Sequence, residues 1–269
     1  MNAIGIKTQK LLSGGNAVII ACDHGEFDGP IPGMVNLAET VSRVHPGVDG
    51  VLMSPGMIRH VAEHFTAKGA PLIIGRLNWD TVYCFQWDYN DAPAVPAFSA
   101  AEAAAMGVEV ALVSLTLKTG SEERDARNVA VFRSVAAEAH RLGMPVIGEY
   151  FPAHSDTLVP EGMHAQVKTG CRILAELGAD MIKTFYTERF PEVVAGCPLP
   201  IFALGAAKLP TQLDALRLAR DEVRDGARGV VFGRNALQVE DPPRFQQALM
   251  DVVKRGVSPE DALAKAGLA

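Results

Sequence analysis

Short runs of uninterrupted apolar residues punctuate this chain. Between them lie longer stretches whose apolar positions recur every three or four residues. The first run is Ala17-Val18-Ile19-Ile20-Ala21-Cys22, after a short amphipathic pattern over 6–12 that Gly14-Gly15 stops. Runs of this kind fit strands buried on both faces, as in parallel sheets. Seven more follow, at 50–53, 71–74, 108–113, 145–148, from Ala179 onward, at 200–203 and at 229–232. Helical periodicity covers 58–67, 122–142, 162–177, 212–225 and 243–254. Gly143 and Gly178 stand where helix C-terminal glycines belong.

Alternation of strand and helix implies a parallel sheet. Eight such units in roughly 250 residues is the arithmetic of a TIM (β/α)8 barrel. The sequence therefore predicts an α/β fold, with one barrel domain over residues 1–269. A doubly wound open sheet is the alternative, but it usually needs fewer strands. No linker, low-complexity tract or internal boundary breaks the pattern. The Pro- and aromatic-rich segment 77–96 reads as an elaborated loop.

Composition narrows the class of protein. The chain has 269 residues, 48% hydrophobic and 21% charged, which supports a sizeable core. A net charge of −6 without any basic run argues against a nucleic-acid partner. No apolar stretch approaches membrane-spanning length, and no charged-then-apolar leader opens the chain. Cys22, Cys84, Cys171 and Cys197 lack metal-site spacing and read as buried thiols of a reducing compartment. A cytoplasmic enzyme without a membrane partner is the expectation. The scattered histidines form neither His-x-His nor His-Glu-x-x-His, so no metal or other cofactor is expected.

In a TIM barrel the chemistry gathers at the C-terminal ends of the strands, so the residues that end each run carry the information. The first run ends in Asp23-His24-Gly25, the third in Arg76-Leu77-Asn78-Trp79-Asp80 and the fifth in Glu149-Tyr150-Phe151-Pro152. The sixth carries Lys183 near its far end, in Met181-Ile182-Lys183-Thr184-Phe185-Tyr186. Burial lowers a lysine's pKa, and a neutral amine attacks carbonyls to form a Schiff base. Alternatively, Lys183 caps the strand and snorkels to water. Asp23 either caps a turn before Gly25 or faces Lys183 across the mouth, holding its ammonium form and relaying protons. His24 reads as a hydrogen-bonded structural group beside any substrate. The seventh and eighth runs end in Gly205-Ala206-Ala207-Lys208 and Gly233-Arg234-Asn235, small residues followed by a base. Adjacent turns of this composition suit a phosphate: glycine lets the backbone approach it, and arginine supplies forked donors. Glu122 and Glu123 open a helix, where acids complement the dipole. Trp79 and Trp87 lie on the 77–96 loop and read as seals of the mouth.

Three of these segments, in order, resemble the archaeal-type class I fructose-bisphosphate aldolases. Ala21-Cys22-Asp23-His24-Gly25 with Gly29-Pro30-Ile31-Pro32-Gly33 resembles their opening motif. Gly178-Ala179-Asp180-Met181-Ile182-Lys183-Thr184-Phe185-Tyr186-Thr187 resembles their Schiff-base strand. Gly233-Arg234-Asn235 with Gln238 and Glu240-Asp241-Pro242 resembles their phosphate segment. The resemblance implies a (β/α)8 barrel, a Schiff base on Lys183, Asp23 as its partner, no metal, and a homo-oligomer, often ring-shaped. It implies phosphate contacts at Gly205, Ala206, Gly233 and Arg234. The family also includes a transaldolase-like enzyme and a lysine-dependent thiolase.

The chain departs from that family after its fifth strand. The family's Tyr-Pro-Arg-Gly, with an acid–base tyrosine, is matched here by Phe151-Pro152-Ala153-His154. Tyr150 is adjacent, but alternation along a strand turns it to the opposite face unless the strand is bulged. Glu149 shares the face of Phe151. The family's double-glycine turn is Gly205-Ala206 here. The expected function is a metal-independent Schiff-base aldolase acting on a phosphorylated ketose or related phosphorylated ketone. Lys183 would attack the ketone, with Glu149 or Asp23 as the base. Thiolase-like acyl transfer, transaldolase-type transfer and a non-catalytic metabolite-binding barrel are the alternatives.

Overall fold

The computed structural model describes residues 2–268. Its strands are β1 (Ala17–Ala21), β2 (Gly50–Met53), β3 (Leu72–Arg76), β4 (Asn78–Asp80), β5 (Ala94–Pro96), β6 (Val110–Leu115), β7 (Val146–Tyr150), β8 (Met181–Phe185), β9 (Ile201–Leu204) and β10 (Gly229–Phe232). Eight of them close a barrel in the order β1-β10-β9-β8-β7-β6-β3-β2, every pairing parallel. All eight predicted runs are barrel strands, so the open-sheet alternative is set aside. β4 and β5 form a separate antiparallel hairpin inside the 77–96 loop.

Alternation along the strands divides the apolar residues into two layers. Ile19, Ile74, Ile147, Met181, Phe202 and Val231 belong to a cluster that fills the barrel interior. Val18, Val113, Val146, Ile182, Ala203 and Val230 belong to the larger cluster shared with the surrounding helices. Leu11, from the N-terminal helix Ala3–Leu11, joins the interior cluster and closes it below. The register then fixes what stands above the interior layer. Glu149 of β7 is paired with Lys183 of β8, so their side chains share the inward face side by side.

The long helices lie within a few residues of their expected spans, at Glu122–Arg141, Pro160–Glu176, Gln212–Arg224 and Pro242–Arg255. Gly143 and Gly178 have φ of 65° and 91°, the left-handed conformation that ends a helix. One expectation changes. The 58–67 segment is two 3-10 turns, Pro55–His60 and Ala62–Phe65. Val61 separates them with φ of −138°, which no α-helix accommodates. Short helices at Leu37–Ser42, Ala100–Ala105, Phe190–Gly196 and Pro259–Lys265 had no periodic signal. Among the described residues no helix is long and apolar enough to cross a membrane.

Candidate active site

Four ionisable side chains stand on the inward face at the C-terminal rim, all nearly buried: Arg76 is 1% exposed, Glu149 1%, Asp23 5% and Lys183 6%. Buried charges are tolerated when each is paired, and here the pairing is continuous. Arg76 Nε lies 2.7 Å from Asp23 Oδ2, and Arg76 Nη2 lies 2.6 Å from Glu149 Oε2. Glu149 Oε1 lies 2.7 Å from Lys183 Nζ. Two acids and two bases cancel, so the floor of the site carries no net formal charge. Burial works against the charge of Asp23, but Arg76, with Lys183, outweighs it and brings the carboxyl down to about 2. Glu149 likewise is held below the usual range, burial being overcome by Arg76 and Lys183.

The expected pairing of Asp23 with Lys183 is therefore corrected. Lys183 pairs with Glu149, and Asp23 reaches that pair only through Arg76. The reason is topological. β3 lies two strands from β1 and two from β7 around the barrel, and a long guanidinium between them engages both carboxylates. Arg76 was given no role in the sequence. The signal was present, an ionisable residue ending an apolar run as Lys183 does.

Tyr150, a catalytic candidate only if the strand bulged, faces away from the site as alternation requires. It is buried on the outer face of β7, its hydroxyl 3.4 Å from Gln166 Oε1 of the helix Pro160–Glu176. A Cβ on Gly170 of that helix would stand 2.2 Å from its ring. Phe151 is the ring that enters the site, where it meets Tyr83 at 4.6 Å and Phe185 at 4.8 Å between centroids. Phe27 extends this wall against Tyr83 at 4.8 Å. Trp79 and Trp87 donate their indole N–H to the carbonyls of Glu26 and Phe27, tying the 77–96 loop to the turn after β1.

These groups line a cavity of about 370 Å³ whose other end holds Gly205, Ala206, Gly233 and Arg234. The last two strands thus bring their small residues together as expected. Ala206 adopts φ of 49°, a left-handed conformation that disfavours a side chain, at the place where the resembled family has a glycine. Gly233 has no room for one: a Cβ there would lie 2.3 Å from His24 Cε1. Arg234 Nη2 donates to the Ala206 carbonyl at 3.1 Å, while its buried Nε has no partner. Asn235 donates to the carbonyls of Gly205 and Ala207 and holds the two turns together. Lys208 is exposed and lies off the cavity wall, so its expected substrate contact is not supported.

His24 is on the wall, its Nδ1 buried without a hydrogen bond and 3.9 Å from Asp23 Oδ1. Burial pushes it toward the neutral imidazole, and although Asp23 opposes this, Arg234, Lys183 and Arg76 assist it. Among the described residues no group of three or more His, Cys, Asp or Glu is arranged to hold a metal. The site can place an amine, a carboxylate base and an anion-binding turn around one small molecule.

Comparison with known proteins points the same way. Residues 17–239 match the model of the DeoC/LacD family aldolases. An uncharacterized aldolase of Saccharolobus solfataricus is 31% identical over 265 residues, covering 96% of this chain and 97% of that one. The 3-hydroxy-5-phosphonooxypentane-2,4-dione thiolase of Escherichia coli is 29% identical over 247 residues, covering 89% of this chain and 77% of that one. An archaeal fructose-1,6-bisphosphate aldolase, solved with its catalytic lysine bound to the carbinolamine intermediate, superposes with a TM-score of 0.77. It is 25% identical and covers 93% of this chain and 99% of its own.

Proposed function

This chain belongs to the DeoC/LacD aldolase family, and we propose that it cleaves or forms a carbon–carbon bond in a phosphorylated ketose or related phosphorylated ketone through a Schiff base on Lys183. The observation that carries this reading is the buried Lys183–Glu149 pair in a cavity that ends at Arg234 and Gly233. Lys183, as the free amine, adds to the ketone, and loss of water gives the iminium. The iminium then takes the electron pair of the adjacent carbon–carbon bond as it breaks. Glu149 is the base for the hydroxyl proton of the departing aldehyde, with Asp23 holding Arg76 in place behind it. Phosphate would lie at Gly205, Ala206, Gly233 and Arg234, with His24 beside it. The neutral floor also favours a hydroxylated ketone over a 2-oxo acid, whose carboxylate would find no surplus positive charge there.

Residues 1–269 would act as one barrel domain, in the cytoplasm and as a homo-oligomer. The buried thiols of all four cysteines suit a reducing compartment. The exposed Phe85, Trp87 and Tyr89 beside the mouth suit contact with another subunit. A second reading is favoured by the thiolase relative, namely acyl transfer from a phosphorylated diketone on the same lysine. A requirement for coenzyme A in turnover would select it.

The test is reductive trapping. Incubation with dihydroxyacetone phosphate and borohydride is expected to add the reduced ketone's mass to Lys183 and to no other lysine. An adduct elsewhere, or none with any phosphorylated ketone tried, removes the Schiff-base assignment.

A further inference from the structure

The aromatic wall contains a phenol that the mechanism above leaves unused. Tyr83 ends the 3-10 turn Thr81–Tyr83, on the cavity wall with Lys183, Glu149 and Phe151. Its position is built in. Asp80 accepts from the backbone of Val82 at 3.0 Å and from the Thr116 hydroxyl at 3.0 Å, which fixes the start of the turn. Asn128, on the helix Glu122–Arg141, accepts from the Ala94 amide and donates to the Ala92 carbonyl, which fixes the end of the loop. The Tyr83 ring faces the guanidinium carbon of Arg76 at 4.5 Å, while its edge meets the ring of Phe151. Its hydroxyl is buried beside the Arg76 guanidinium, whose Nε and Nη2 serve Asp23 and Glu149 while its Nη1 meets neither carboxylate. Phenol and guanidinium therefore stand side by side in the wall of the cavity that also holds Lys183 and Glu149.

We propose that Tyr83 is the general acid of iminium formation, supplying from the 77–96 loop the proton that Phe151 cannot supply from the β7 end. This rests on the Schiff-base reading of Lys183. One proton passes from the Lys183 ammonium to Glu149, leaving the amine that adds to the ketone. The addition gives a carbinolamine once a second nitrogen proton has moved to the oxygen. Tyr83 donates its phenolic proton to that hydroxyl, the carbon–oxygen bond breaks, and water leaves with the iminium formed. Glu149 returns its proton to the phenolate, directly or through one water. The two protons lost by the ammonium are the two gained by the departing oxygen, and both Tyr83 and Glu149 end as they began. Burial, reinforced by the nearby charge of Glu149, keeps the phenol protonated until it is used, while Arg76 beside the ring favours the transient anion.

The test follows the rate of the borohydride-fixed adduct on Lys183 with dihydroxyacetone phosphate in rapid-quench mass spectrometry. Tyr83→Phe keeps the ring against Arg76 and Phe151 and removes only the hydroxyl, so its thermal midpoint should stay near that of the parent. Its adduct should form about 10²–10⁴-fold more slowly, the usual loss of a general acid, with kcat falling and KM little changed. Phe151→Tyr added to Tyr83→Phe places a phenol against the same position and should recover part of the rate. Adduct formation at the parental rate in Tyr83→Phe overturns the proposal. So does a slowed rate that comes with a lowered midpoint and no recovery in the double variant, since Tyr83 would then be packing. Absence of an adduct in the parent protein would instead overturn the Schiff-base reading beneath it.

Discussion

Glu149 touches both Arg76 and Lys183 and, among the described residues, is the one carboxylate in direct contact with the proposed nucleophile. Glu149→Gln keeps a hydrogen-bonding group of the same shape but removes the proton carrier. It is expected to form the trapped Lys183 adduct slowly but completely, and to lose about 10²–10⁴-fold in turnover. Tyr150→Phe should turn over nearly as the parent does, because Tyr150 faces the helix Pro160–Glu176. Normal turnover in Glu149→Gln would pass the base to Asp23. That Glu149 enters the site and Tyr150 does not was legible from strand alternation alone. The role of Arg76 was not. Its partners come from β1 and β7, and only the closed order of the barrel brings those carboxylates within reach of one side chain. Tyr83 was hidden for a similar reason, since nothing in a loop's composition says which way a turn aims its ring.

The helix Pro160–Glu176 offers a direct test of what seats β7. It carries two glycines whose surroundings differ. A Cβ on Gly170 would stand 2.2 Å from the Tyr150 ring, whereas one on Gly162 would find its nearest neighbours at an ordinary 3.7 Å. Replacing an exposed helix-interior glycine by alanine gains up to about 1 kcal/mol of propensity. At Gly162, in the first turn, that gain should survive in part and raise the midpoint slightly. At Gly170 overpacking of roughly 1–3 kcal/mol opposes and exceeds it. Gly170→Ala should therefore lower the thermal midpoint, and it should also slow turnover if the displaced ring tilts the end of β7. Equal midpoints for the two variants would mean that Tyr150 repacks freely. The sequence located this helix and every barrel strand because their apolar periodicity is long or unbroken. Helices such as Ala100–Ala105 or Phe190–Gly196 are too short to show a period. They are set by caps, the Ser99–Glu102 capping box in the first case and Pro191 near the start of the second. The 58–67 segment has helical spacing, yet it follows Pro55-Gly56 and is broken at Val61, so tertiary packing wins over pattern.

Across the molecule the buried acids fall into two groups that pull stability in opposite directions with pH. Asp23, at about 2, and Glu149, also lowered, keep their charge in the folded state where the unfolded chain would bind protons. Between the ordinary carboxylate range near 4 and a pH of about 2 the unfolded state therefore holds more protons, and stability falls as acid is added. Glu26 behaves in reverse. Its carboxylate is buried, and burial pushes its pKa up to about 8 against the pull of Arg76 and the Ser54 hydroxyl. Asp80 is raised by burial to about 7, against the pull of Val82 and Thr116, and Glu222 is raised further with both oxygens unmet. From about pH 4 upward the unfolded state releases protons that these groups retain when folded, so stability also falls as pH rises toward 8. The two slopes meet near the ordinary carboxylate pKa, and His24 and His45, kept neutral by burial, add a loss of stability below about 6.5, so the thermal midpoint should peak on the acid side of neutrality. Glu26→Gln removes one source of the alkaline slope without touching the acid one. Its midpoint should gain most on the parent near pH 8, and the gain should shrink toward pH 4. A gain independent of pH would mean that Glu26 is charged in the folded protein, and that the turn after β1 holds a partner for it.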